Sequence, residues 1–117
     1  MKKRSYIVFI EDILSSMEKI ERYVSNSNYE TFEENEMIVD AVIRNLEIIG
    51  EASKNIPDDI RKRYSDIPWK RMVGLRNIAI HEYSEVDLKT IWRIIKKNLP
   101  ETKQDILKIL DNMKETL

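Results

Sequence analysis

Apolar residues recur at helical intervals along almost the whole chain, and very little interrupts them. Tyr6, Ile10, Ile13, Met17, Ile20 and Val24 follow steps of four and three, the stripe of one buried helix face. Ile38, Val42, Leu46, Ile49 and Ile56 form a second stripe, and Leu88, Ile91, Trp92, Ile95 and Leu99 a third. Only two glycines and three prolines stand in 117 residues, so few positions can stop a helix. The chain therefore reads as all-α, a single domain over residues 1–117 built as an antiparallel up-and-down bundle of four to five helices.

Helix ends follow from the few breakers. Turn formers at Ser25–Asn28 close the first helix. The second has two possible capping boxes, Ser27-x-x-Glu30 and Thr31-x-x-Glu34, and extends to Pro57. At roughly 26 residues it would be about 39 Å long and the longest rod in the molecule. Asp58–Tyr64 reads as a short helix or turn. Pro68 suits the first position of a helix over 68–82, Asp87 caps the next, and Pro100 opens the last. That last helix turns Ile106, Leu107, Leu110 and Met113 inward. Trp92 reads as core, and Trp69 as the packing anchor of its helix.

Charge balance restricts function. Lys plus Arg number 20 and Asp plus Glu 21, for a net charge of −1, so the molecule is not a bulk polycation. A nucleic acid would have to use local basic rails, for which Arg61-Lys62-Arg63, Lys70-Arg71 and Lys96-Lys97 are the candidates. There is no cysteine, which removes disulfides, thiolate metal sites and thiol nucleophiles. A single histidine rules out a two-histidine zinc site within one chain. The opening MKKRSYIVFIEDIL imitates a signal peptide, but its apolar run ends at Glu11-Asp12. No stretch escapes charge long enough to span a bilayer, so a cytoplasmic protein with no membrane partner is expected.

The one histidine lies in RNIAIHEY, Arg76 to Tyr83. Around it run Met72, Val73, Leu75, Ile78, Ala79 and Ile80, apolar on nearly every side of a helix. A guanidinium placed in such a segment must meet an acid, an anion or water. Glu47 and Glu51 of the long helix are the candidate ion-pair partners. On an ideal helix, residues five apart point about 140° from each other, so Arg76 and His81 do not share a face. Asn77 and His81, four apart, do. One phosphate could be reached by both Arg76 and His81 if the arginine stem wrapped round, if the helix loosened, or if a second copy set its own motif opposite.

The two residue types suit one reaction. Neutral imidazole can take the proton from an RNA 2′-hydroxyl, whose oxygen then attacks the adjacent phosphate. A guanidinium stays protonated and can hold the phosphate oxygens. Neither metal nor cofactor is required. Two other readings stay open: a non-catalytic helical module that binds a nucleotide or RNA, and a purely structural role for Arg76 and His81.

Three passages resemble the HEPN superfamily, and within it the HepT-like toxins. They are DAVIRNLEIIGEASKNIP (Asp40 to Pro57), IPWKRMVGLRNIAIHEY (Ile67 to Tyr83) and VDLKTIWRIIKKNLP (Val86 to Pro100). The resemblance implies an R-x4-6-H ribonuclease site, here catalytic Arg76 and His81 with Asn77 as supporting polar residue, shared across a homodimer. It implies the toxin of a type VII toxin–antitoxin system. The partner would be an ATP-using, MntA-type nucleotidyltransferase antitoxin that adenylylates the tyrosine of H-x-Y, here Tyr83.

Overall fold

The computed structural model describes the backbone over residues 3–81 and 87–116, and side chains over 6–79 and 87–113. Every element in it is helical. In chain order these are α1 (Lys3–Val24), α2 (Tyr29–Glu34), α3 (Glu36–Lys54), α4 (Asp58–Arg63), α5 (Trp69–His81), α6 (Leu88–Arg93), a π-helical segment (Ile94–Asn98) and α7 (Leu99–Thr116). Helix α3 packs against both α1 and α5, and α7 packs against α1. Among the described residues no helix is long and apolar enough to cross a membrane.

The core is one cluster, and the predicted stripes supply most of it. Ile10, Ile13, Met17 and Ile20 from α1, Val42, Leu46 and Ile49 from α3, and Ile91 from α6 are almost wholly shielded. Burying such side chains contributes about 1.5–3 kcal/mol each, which is what drives these amphipathic helices together. In α7 the inward residues are Leu99, Thr102, Ile106, Ile109 and Met113, with Leu110 half-buried. Leu107 is not part of that face. It sits only about 100° round from Ile106, whereas Ile109 completes the three-then-four spacing.

The expected long second helix is two helices. Phe32 is fully buried, and Asn35 ends α2 in an extended conformation while its Oδ1 accepts from the Ile38 N–H to start α3. The capping box uses neither expected pair. Asn28 Oδ1 accepts from the Thr31 N–H at 2.9 Å, and Thr31 Oγ1 accepts from the Asn28 N–H at 3.0 Å. With 19 residues α3 is about 28 Å long. Helix α1, with 22 residues, is longer than α3.

Pro100 does not open a new helix. The rod runs unbroken from Leu88 to Thr116, because the segment before the proline widens to π geometry, with Leu99 N–H donating to Ile94 O. Proline lacks an N–H and would press on the carbonyl four residues back. The wider turn accommodates both faults. Asp87 does cap α6 as expected, accepting from the Lys89 N–H. Pro68 immediately precedes α5, as its cap. Trp69 is buried, and its Nε1 donates to Tyr64 O at 3.1 Å. Trp92 is only half-buried. It packs on Phe32 and Tyr29, and the Lys96 ammonium covers its ring at 5.3 Å from the centroid.

Candidate active site

Helix α5 carries the RNIAIH part of the motif. Trp69, Met72, Leu75 and Ala79 point into the core, which leaves the opposite side of the helix, where Asn77 lies, exposed. Arg76 sits on the flank that meets α3, and there the two backbones approach unusually closely. A Cβ built on Gly50 would stand 2.5 Å from the Arg76 backbone nitrogen and 2.8 Å from the Arg76 Cβ. No real side chain tolerates that approach, so α5 rests on α3 at Arg76 only because residue 50 is glycine.

The next residue of α3 completes the contact. Arg76 Nε pairs with Glu51 Oε1. Both side chains stay partly open to solvent, 41% exposed for Arg76 and 45% for Glu51. A pair this open contributes little to stability. Its interest lies in what it displays, a guanidinium held at a helix seam beside a carboxylate and partly open to solvent. Of the two acids considered as partners, Glu47 is engaged elsewhere, with Arg44 at 3.2 Å.

His81 is the last residue of α5, five positions beyond Arg76 on a continuous helix. The loosening that could have brought the two together does not occur up to that point. Tyr83, with Glu82, lies outside the described residues.

A groove of about 580 Å³ opens on the far flank of α5, floored by Met72, Leu75, Ile78 and Leu99. Asp66, Glu101 and Asp105 line it against the one cation Arg71, so its field disfavours a phosphate backbone. The three basic runs proposed as RNA rails are each partly committed to the fold. Arg71 faces those carboxylates, and Lys96 covers Trp92. Arg61 donates to the carbonyls of Ser53 (2.9 Å), Lys54 (3.1 Å) and Ile56 (3.0 Å), closing the C-terminal end of α3. Arg61→Ala is expected to lower stability by about 1–2 kcal/mol, read as a shift in the urea midpoint, with no change in RNA affinity.

Gly50 gave one weak signal in the sequence. It is an isolated glycine among strong helix formers, where it costs about 1 kcal/mol relative to alanine and so calls for a packing reason.

Comparison with known proteins agrees with this architecture. The ribonuclease HepT-like family matches residues 13–109. A candidate RNase of Methanocaldococcus jannaschii is 44% identical over 115 residues, covering 98% of this chain and 99% of the relative. A candidate ribonuclease HepT of Thermococcus cleftensis is 42% identical over 101 residues, covering 86% of this chain and 92% of the relative. The solved structure of a tri-AMPylated HEPN toxin of Shewanella oneidensis, in complex with an MNT antitoxin, matches with a TM-score of 0.65 and 24% identity. That match covers 95% of this chain and 99% of the toxin, and it shows the same all-α HEPN fold. The seam that holds Arg76 lies inside the matched stretch, and the chain belongs to the ribonuclease HepT-like family.

Proposed function

We propose that this protein is a metal-independent RNA endonuclease, the toxin of a toxin–antitoxin pair, acting in the cytoplasm. Arg76 carries this reading. Its guanidinium already holds an oxyanion, the Glu51 carboxylate, at a solvent-reachable seam on the helix that ends in His81. Membership of the HepT-like family and relatives with ribonuclease names support it.

In the reaction, neutral His81 takes the proton from the 2′-hydroxyl. The freed oxygen forms a bond to the adjacent phosphorus, and the bond from phosphorus to the 5′-oxygen breaks. A second imidazole, protonated, donates to that leaving oxygen. Arg76 holds the non-bridging oxygens as their charge grows, with Asn77 as a further polar contact. The products are a 2′,3′-cyclic phosphate and a 5′-hydroxyl, and DNA is spared for want of a 2′-hydroxyl. The second imidazole comes from a second copy, since one chain has one histidine. A homodimer also answers the 140° between Arg76 and His81, by bringing the motif of one copy against that of the other.

Tyr83 is the site of control. A nucleotidyltransferase antitoxin attaches AMP there, two residues from the base, adding a negative phosphate that takes the place of RNA at Arg76. That a solved HEPN toxin is AMPylated, in complex with an MNT antitoxin, supports AMPylation as the form of control.

The test is cleavage of RNA in EDTA with identification of the new ends. Cyclic phosphate ends are expected. EDTA-sensitive cutting with 5′-phosphate ends would overturn the mechanism, and RNA binding without cutting would favour a non-catalytic module. Incubation with the transferase and ATP should add AMP to the Tyr83 peptide in a mass spectrum, and label on another residue would refute that assignment.

A further inference from the structure

The outward face of α3 bears a pattern that catalysis leaves unused. Met37, Ala41, Arg44, Ile48, Glu51 and Asn55 follow one another at alternating steps of four and three, a single helix face. None is buried. Met37, Arg44 and Asn55 are exposed, and Ala41, Ile48 and Glu51 are half-buried. Beside them lies a depression of about 210 Å³, between Phe9 and Asp12 of α1 and Arg44, Ile48, Glu51 and Asn55 of α3. An apolar centre at Ile48 is thus flanked by a cation one turn before it and an anion one turn after.

That order of charges is complementary to itself. When the face meets a copy of itself about a two-fold axis through Ile48, the helices run antiparallel. Ile48 then meets Ile48, and each Arg44 comes opposite the partner subunit's Glu51, twice over. A parallel approach would set Arg44 against Arg44 and Glu51 against Glu51. The Arg44–Glu47 pair within one copy, at 3.2 Å with Arg44 exposed and Glu47 half-buried, is weak enough to be traded.

We propose that the outer face of α3 is the seat of a second copy, in this antiparallel register, and that docking draws Glu51 away from Arg76. Glu51 holds the guanidinium in the single copy. At the two-fold the partner subunit's Arg44 competes for the same carboxylate inside a drier contact, where charge pairs strengthen. Arg76 is then released toward a phosphate at the place where the two copies meet. The first half of the proposal stands on the α3 face alone, and the second rests on the ribonuclease reading.

The cysteine-free chain makes the register directly measurable. Ile48→Cys is expected to form a disulfide-linked dimer under mild oxidation, because only a residue at the axis meets its own copy within disulfide reach. Met37→Cys is the control, since eleven residues from the axis it lies about 33 Å from its counterpart. Circular dichroism verifies that both variants fold. Failure of folded Ile48→Cys to cross-link, or linkage through Met37→Cys, overturns the interface whatever the RNA assay shows. Cross-linking in a protein that never cuts RNA leaves the interface standing and removes the catalytic reading.

The release of Arg76 is tested by a double-mutant cycle on RNA cleavage. Arg44→Ala is expected to raise KM by about three- to thirtyfold in the wild type and to have little effect in Glu51→Gln, where no carboxylate remains to be drawn away. An equal effect in both backgrounds would make Arg44 a direct phosphate contact and overturn the hand-over.

Discussion

Replacing His81 with alanine is expected to slow RNA cleavage by about 10²- to 10⁴-fold while the melting temperature moves little. His81 is the last residue of α5, where its backbone closes the helix but the core is made by Trp69, Met72, Leu75 and Ala79. Loss of the imidazole removes the one histidine of the chain, the proposed base. Arg76→Ala should reduce kcat/KM to a similar degree through loss of transition-state charge stabilisation. Arg76→Lys should recover only part, because an ammonium lacks the planar fork that grips two oxygens. A merely structural role predicts the reverse pattern, with a lowered melting temperature and RNA turnover unchanged in the folded fraction. Single-turnover cleavage at saturating RNA, with thermal unfolding of the same samples, separates the two.

The apolar stripes were legible because they depend on one helix at a time. Ile10, Ile13 and Met17 repeat at the helical period whatever they pack against, and they are buried as that period requires. The break at Asn35 was hidden among Glu33, Glu34 and Glu36, all good helix formers. Its cause is tertiary. Phe32 must reach the core, and the Asn35 side chain takes over the first N–H groups of α3. Pro100 misled for a related reason. The rule for proline presumes an α-helix before it, and the π segment from Ile94 to Asn98 removes the clash.

The same division runs through the candidate site. Arg76 stood out because an arginine within Met72, Leu75, Ile78 and Ala79 needs a partner, and its partner is an acid of α3. Choosing Glu51 over Glu47 required knowing how α3 and α5 cross. Gly50 depended on that crossing still more. Nothing in an isolated IIGEAS string says which backbone will come within reach of the missing Cβ.

Gly50 therefore supports the second large expected effect. Gly50→Ala should destabilise the protein by about 1–3 kcal/mol and depress RNA cleavage in the fraction that remains folded. The added methyl would meet the Arg76 N at 2.5 Å and the Arg76 Cβ at 2.8 Å, and neither is the loose end of a flexible chain. α5 must lift from α3 to admit it. Lifting weakens the burial of Leu75 and Ala79 and carries the Arg76 guanidinium off Glu51. Ordinary helix propensity predicts the opposite sign, since alanine in place of a mid-helix glycine stabilises by about 0.5–1 kcal/mol. Gly74 supplies that control within α5, because a Cβ there meets nothing within 4 Å. Gly74→Ala should raise the melting temperature and Gly50→Ala should lower it. If both rise together, the close approach of α5 to α3 at Arg76 is not what holds the arginine in place.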